Sequence, residues 1–239
     1  MSLKREIKEL ALSQGAQLVV WPELSVGFDP QVEHTAELRA LAAETNAHLV
    51  IGYGRATEDE SRNAAALLTP AGQFLATAGT SHFPPGEPPD PDAKRYPVYD
   101  LPLGQLATVI CHDANFTETG RILANKGAEL VSVPTYAVSI PGLRKLFHIQ
   151  TLFRGLENRV ATVAAGNRFS AIVDPYGRII AQQTYSPGEG AAPVVADVSL
   201  GTHNALYSRL GDLAGWLGLA GLVFFSIYPG IVKKRAAQE

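Results

Sequence analysis

The sequence predicts a layered α/β fold. Short apolar runs typical of buried strands alternate with amphipathic stretches that have a helical period. Two neighbouring apolar runs are separated only by a turn sequence, which predicts strand pairs beside the helix–strand units. Hydrophobic residues make up 46% of the 239 residues, enough for a large core in one main domain. This combination favours sheets covered by helices.

The helices are predicted where apolar residues recur at helical spacing. In the second of them, Leu38, Leu41 and Ala42 would lie on one face. Gly127 follows the third, as glycine often does just beyond a helix end. The predicted helices cover residues 4–14, 32–45, 117–126 and 143–158.

The strands are predicted from short apolar runs that stop at turn residues. The sequence Thr-Pro-Ala-Gly at residues 69–72 predicts a hairpin turn. Pro134 is expected to end a strand, and the proline-rich residues 82–96 predict a loop. The predicted strands cover residues 18–21, 49–53, 64–68, 74–78, 106–110, 130–133, 160–165, 170–173, 179–181 and 194–198.

Composition excludes several classes of function. The formal net charge is −3, so no basic excess points to a nucleic-acid partner. Cys111 is the single cysteine, which excludes a disulfide within the chain and a metal site built from several thiolates. We therefore expect no metal and no cofactor.

The C-terminal region suggests a membrane span. Residues 213–232 contain no charged side chain, and a helix of that length extends about 30 Å, the thickness of a bilayer core. Trp216 and Tyr228 lie towards the two ends of this segment, where interfacial aromatic residues are expected. The sequence thus predicts one transmembrane helix at residues 213–232, with a buried C-terminal helix as the alternative.

The charges around this segment predict an orientation. Basic residues follow it, so residues 233–239 would form a cytoplasmic tail, and the main domain, residues 1–205, would lie on the outer, periplasmic face of the cell membrane. The N-terminus is charged and has no signal-peptide pattern. Because that topology needs an upstream export signal or span, and because the chain opens with a helix, we expect an N-terminal part to be missing.

The strand predicted at residues 106–110 delivers Cys111 at its carboxyl end, where catalytic groups collect in α/β folds. A helix follows, and the partial positive charge of a helix N-terminus lowers the pKa of a thiol. The backbone N–H of His112 would face the same space and could bind an oxyanion. The alternative is a small apolar residue in the core.

A second polar group follows another buried strand. The strand at residues 18–21 ends in Trp21 and Pro22, and Glu23 comes next. A carboxylate leaving a buried strand is costly to desolvate unless it is paired or used, and burial suits it to act as a general base. The alternative is a loop glutamate that caps a turn.

Taken together, these segments resemble the nitrilase, or carbon–nitrogen hydrolase, superfamily. There, Trp-Pro-Glu carries the base and Ile-Cys-(Tyr or His)-Asp carries the nucleophile, similar to residues 21–23 and 110–113 here. Residues 82–87 resemble the family's His-Leu-x-Pro-x-Gly-Glu, one residue shorter, and residues 116–118 resemble its Phe-Pro-Glu. Residues 207–212, followed by an apolar helix, resemble the apolipoprotein N-acyltransferase branch.

The resemblance implies a four-layer α-β-β-α sandwich and a mechanism. Glu23 would deprotonate Cys111, which would accept an acyl group as a thioester. Glu87 would be a second catalytic acid, and His112, Asp113 and Thr80 would line the substrate pocket. In the N-acyltransferase branch the acyl donor is a phospholipid and the acceptor is the amine of a lipoprotein.

One departure leaves the activity open. The family's lysine, which stabilises the oxyanion, lies two residues before the histidine, and that position is Thr80 here. Lys94 and Arg95 follow on the next loop and could supply the charge. The alternatives to an N-acyltransferase are therefore an amidase for small amides and a non-catalytic module with the same fold.

Overall fold

The computed structural model describes residues 8–9, 11–56, 61–82, 95–136, 143–184, 193–202 and 204–236. Its first sheet has four strands in the order β1-β2-β3-β4. β1 runs parallel to β2, and the other two pairs are antiparallel. These strands are β1 (Leu18–Val20), β2 (His48–Ala56), β3 (Ser61–Leu68) and β4 (Ala78–Gly79).

The second sheet has six strands in the order β10-β9-β8-β7-β6-β5. The central strands β6, β7 and β8 are parallel, and antiparallel strands flank them. The strands are β5 (Val98–Leu101), β6 (Gly104–Thr108), β7 (Leu130–Thr135), β8 (Ala161–Gly166), β9 (Phe169–Val173) and β10 (Ile179–Thr184).

The helices connect and cover the strands. A short 3-10 helix, Cys111–Asn115, lies between β6 and the α-helix that begins at Thr117. Residues 8–9 and 11–14 are helical, and the later α-helices among the described residues are α1 (Thr35–Thr45), α2 (Thr117–Asn125), α3 (Leu143–Asn158), α4 (Leu206–Leu210) and α5 (Leu213–Ala236).

Alternation along the strands produces four layers, because successive side chains point to opposite faces of a sheet. On β2, Val50 packs in the core between the two sheets with Leu106 of β6. The neighbouring residue Ile51 faces the other way and packs against Leu38 of α1. On the second sheet, the outward face packs against Leu123 of α2. The predicted α-β-β-α sandwich is confirmed.

Several helices and strands begin or end at other residues than the sequence predicts. α1 begins at Thr35 rather than residue 32, because His34 adopts a left-handed conformation with φ 53°. β5 was not anticipated, and the strand predicted at residues 194–198 is wrong, since the described residues 193–200 form no strand. β7 continues through Pro134 to Thr135, where it pairs only with β8.

The prediction of a transmembrane helix at residues 213–232 is wrong. Among the residues that the structure describes, no helix combines the length and the apolarity that crossing a membrane requires. The predicted location in the cell membrane, with residues 1–205 on the outer face and residues 233–239 as a cytoplasmic tail, depended on that span and falls with it.

Candidate active site

The carboxyl ends of β1 and β6 point into one region between the sheets. Val20, at the end of β1, and Ile110 and Cys111, beyond the end of β6, all pack in the inter-sheet core. Glu23 follows β1 and is only 7% exposed. Glu23 acts on the Cys111 thiol both as a negative charge and as a hydrogen-bond partner, so the two side chains are neighbours.

Glu23 follows β1, and its side chain is held by a residue of β3 in the same sheet. The Nδ2 atom of Asn63, on β3, donates a hydrogen bond of 2.6 Å to Oε1 of Glu23, and both side chains are buried. A neutral amide donor fixes the carboxylate without neutralising it, as a proton acceptor requires.

The backbone at Glu23 also depends on Gly52 of β2. A Cβ atom at Gly52 would lie 2.3 Å from the carbonyl oxygen of Pro22 and 2.8 Å from Cα of Glu23. Both contacts are to backbone, which cannot rotate away, so only glycine allows this approach of β2 to the segment that carries Glu23.

Gly52→Ala is therefore expected to displace Glu23 and to lower the free energy of unfolding by about 1–3 kcal/mol, the usual effect of overpacking. Gly27→Ala is the matched control, because a Cβ atom there meets nothing within 4 Å. Denaturant unfolding of the two variants measures the difference. Equal stability of Gly52→Ala and wild type would contradict the steric argument.

Cys111 occupies a strained turn between β6 and the 3-10 helix. Its φ angle is 36°, in the left-handed region that a residue with a side chain rarely adopts. Such a conformation costs on the order of 1–3 kcal/mol and is maintained by the surrounding structure. The turn brings the sulfur to the surface of the inter-sheet core, where the side chain is partly exposed.

The Cys111 sulfur contacts the neighbouring strand. The Oγ1 hydroxyl of Thr135, at the end of β7, donates a hydrogen bond of 3.2 Å to Sγ of Cys111. The carbonyl oxygen of Tyr136 lies 3.9 Å from the same sulfur. The Glu23 carboxylate and the Thr135 hydroxyl therefore both reach Sγ, although they belong to segments of different sheets.

The pKa of Cys111 differs from the expectation drawn from its place before a helix. Burial, and after it the charge of the adjacent Glu23 carboxylate, raise the pKa of the thiol to about 12, while the hydrogen bond from the Thr135 hydroxyl opposes the change. The prediction of a lowered pKa is wrong, because desolvation and a neighbouring negative charge outweigh the field of a short 3-10 helix. The resting pair is thus a thiol beside a carboxylate.

The described contacts of Asp113 hold two backbone segments together. Its carboxylate is 1% exposed and accepts hydrogen bonds from the backbone N–H groups of Ser81, at 3.0 Å, and His82, at 2.7 Å. The His82 ring contacts Asp113 through Nδ1 and Glu118 through Nε2. These bonds tie the segment after β4 to the 3-10 helix, so the predicted place of Asp113 in the substrate pocket stays a prediction.

The remaining predicted site residues have different outcomes. Thr80 is buried, 6% exposed, directly before the segment that Asp113 holds. The ring Nδ1 of His112 lies 3.0 Å from Nδ2 of Asn115 within the 3-10 helix. Arg95 is exposed. Glu87 and Lys94 lie outside the described residues, so their predicted roles are untested.

Two residues at the site were missed by the sequence reasoning, Asn63 and Thr135. Asn63 lies on β3 directly before the apolar run at residues 64–68, and a buried polar residue in a strand needs a partner. Thr135 follows Pro134, at which the sequence predicts that the strand ends. Its place at the carboxyl end of a parallel strand was the signal that could have identified it.

Comparison with known proteins agrees with this geometry. A family model described as Carbon-nitrogen hydrolase matches residues 2–204. Apolipoprotein N-acyltransferase of Geobacter metallireducens is 28% identical over 234 residues, covering 86% of this chain and 44% of the relative. Nitrilase of Pyrococcus abyssi is 32% identical over 182 residues, covering 66% of this chain and 64% of the relative. The chain thus spans about half to two thirds of these curated relatives.

Solved structures show the same fold. An amidase from Nesterenkonia sp. AN1, with acrylamide added to its active-site cysteine, superposes with a TM-score of 0.63 at 23% identity, covering 74% of this chain and 81% of that chain. A variant of that amidase in complex with butyramide gives 0.63 at 25% identity, with 74% and 78% covered. With the four layers in place and the family match running over most of its length, this chain belongs to the carbon–nitrogen hydrolase family.

Proposed function

We propose that this protein cleaves amide-linked acyl groups through a thioester on Cys111, with Glu23 as the general base. One observation carries the proposal: a buried carboxylate, fixed by Asn63, lies against the thiol of a strained cysteine at the end of a parallel strand. A base in contact with a nucleophile is the arrangement that covalent acyl transfer needs.

The reaction follows from the protonation states of the pair. As Sγ of Cys111 attacks the acyl carbonyl carbon, its proton passes to the Glu23 carboxylate, and a tetrahedral intermediate forms. Glu23 then returns the proton to the leaving amine as the carbon–nitrogen bond breaks, which leaves a thioester. Water, deprotonated by Glu23, attacks the thioester and releases the acid and the free thiol.

The oxyanion of the intermediate needs hydrogen-bond donors. Thr80 stands where the family has a lysine, and we assign the oxyanion to the backbone N–H of His112, the first amide after the nucleophile. Loss of one oxyanion donor costs about 10²- to 10³-fold in rate. We therefore expect slow turnover compared with members of the family that carry the lysine.

The proposal is tested with butyramide, the small amide found with the Nesterenkonia amidase. Ammonia release measures turnover, and mass spectrometry after rapid quenching detects a butyryl group on the protein. Cys111 is the single cysteine, so an acyl mass that is lost in Cys111→Ala identifies the site. Ammonia release that persists in Cys111→Ala would refute the mechanism, and absence of any adduct with reactive acyl compounds would favour a non-catalytic module.

The second candidate is N-acyl transfer, in which an amine rather than water takes the acyl group. It is favoured by the Geobacter N-acyltransferase, whose similarity covers 86% of this chain. In this version a phospholipid donates the acyl group, its alcohol leaves as the thioester forms, and the amine of a lipoprotein attacks the thioester. Glu87 is proposed as the second acid at that step.

The two candidates are separated by measuring how the acyl group is divided between an amine and water. The wild-type protein is supplied with a phospholipid and a lipopeptide that has a free N-terminal amine, and the products are separated by mass. An acylated lipopeptide that depends on Cys111 supports N-acyl transfer. Free fatty acid, formed at the same rate with and without the lipopeptide, would instead leave hydrolysis as the activity.

A further inference from the structure

We propose that the Thr135 hydroxyl is a catalytic hydrogen-bond donor, which stabilises the Cys111 sulfur when it becomes negatively charged. The inference rests on the proposed function, in which that sulfur attacks and later leaves an acyl carbon. Its basis is the 3.2 Å hydrogen bond from Oγ1 of Thr135 to Sγ of Cys111.

Strand register brings these two side chains together. β6 and β7 are parallel neighbours, and their last pair is Thr108 with Ser132. Cys111 lies three residues after Thr108, and Thr135 lies three residues after Ser132. Because parallel strands keep their register, both residues arrive at the same level beyond the end of β6, and the continuation of β7 through Pro134 places the hydroxyl beside the sulfur.

The orientation of the hydroxyl is fixed on the other side of β7. Thr135 pairs with Gly166 of β8, and a Cβ atom at Gly166 would lie only 2.7 Å from Cγ2 of Thr135. The glycine therefore makes room for the threonine methyl group. A β-branched side chain is stiff at χ1, so seating the methyl against Gly166 directs the hydroxyl towards Sγ.

The site needs a donor at this position. The sulfur is largely, though not fully, buried beside a carboxylate, and both factors oppose its negative form. The family lysine is replaced by buried Thr80, which carries no charge. A hydroxyl that donates to a charged acceptor forms a stronger bond than one between neutral groups, so the bond tightens as the proton moves to Glu23.

The same bond acts twice in the reaction. During attack, the S–H bond breaks, its proton goes to Glu23, and the sulfur lone pair forms the new C–S bond. When water or an amine displaces the thioester, the C–S electron pair returns to the sulfur. The Thr135 hydroxyl donates to Sγ at both steps in which the sulfur carries negative charge. Thr135 itself neither gains nor loses a proton.

The test measures the reactivity of the thiol itself and does not require turnover. Acrylamide adds to the active-site cysteine of the Nesterenkonia amidase, and here its addition to the single cysteine is followed by mass. Thr135→Val keeps the shape of the side chain but removes the donor, and it is expected to slow the addition at neutral pH about 10-fold. Thr135→Ser keeps the donor but loses the methyl group that orients it, so it is expected to react faster than Thr135→Val and no faster than the wild type.

Thr162→Val is the matched control, because Thr162 is a buried threonine on β8 whose hydroxyl lies against α3, away from the sulfur. Wild-type reactivity of Thr135→Val would overturn the proposal. If Thr135→Val does not fold, Thr135→Ala and Thr135→Ser, which both lack the methyl group, decide: slower addition in Thr135→Ala supports the proposal, and equal rates overturn it. If the wild-type protein hydrolyses no amide, amide hydrolysis as the proposed function is refuted. The rates of acrylamide addition would still test the hydrogen bond from Thr135 to Cys111.

Discussion

Replacement of Cys111 by alanine is expected to lower amide cleavage or acyl transfer by about 10⁴-fold or more, because removal of a nucleophile disables the base that acts with it. Glu23 then has no thiol proton to accept, and the chain has no other cysteine to substitute. Turnover of an acyl donor and the mass of the acylated protein measure the loss.

A glycine at the same position serves as the control for folding. Cys111 adopts φ 36°, a conformation that glycine reaches without strain. We expect Cys111→Gly to be as inactive as Cys111→Ala but to unfold at a higher denaturant concentration than the alanine variant. Activity retained by either variant would show that the sulfur is not the nucleophile, and equal midpoints would contradict the strain at this turn.

Replacement of Glu23 by glutamine is expected to reduce the rate by about 10²- to 10⁴-fold, the contribution typical of a general base. Glutamine keeps an oxygen that can accept the hydrogen bond from Asn63, so the side chain should stay in place. Glu37→Gln, on the exposed first turn of α1, is the matched control and should retain wild-type activity.

Although Glu23→Gln is expected to lower the rate, it is also expected to make the Cys111 thiol more acidic. Burial and the charge of Glu23 together raise the pKa of Cys111 to about 12, with burial as the larger cause. With the charge removed, the pKa should fall, although it should stay above the ordinary value because the burial remains. The ultraviolet absorbance of the thiolate, titrated in the single-cysteine protein, measures this change.

Glu23→Gln thus separates the acidity of the thiol from its catalytic activation. The variant should hold more thiolate at a given pH and yet turn over more slowly, because it lacks the group that carries the proton between thiol and leaving amine. A variant that gains thiolate and keeps full activity would exclude Glu23 as the base. A pKa that rises in the variant would mean that Glu23 and Cys111 do not interact as described.

The exposed C-terminal helix shows where a local pattern misleads. Trp216, Phe225 and Tyr228 are at least half exposed on α5. An uncharged run long enough to span a bilayer predicted a membrane helix, yet no helix among the described residues meets that requirement.

The sequence by itself determined the alternation of strands and helices and the presence of an acid and a cysteine just beyond buried strands. These follow from hydrophobic period and chain order, which are local. The sequence also located the position where a charge is absent, Thr80, through its spacing from His82.

Only the tertiary structure decided which groups meet. Asn63 reaches Glu23 across 40 residues of chain, and Thr135 reaches Cys111 across 24, through pairings that no local pattern encodes. The direction of the pKa shift at Cys111 was likewise set by burial and by Glu23 rather than by the helix that follows it. Solvation and charge proximity act through space, so they become known only when the strands are assembled.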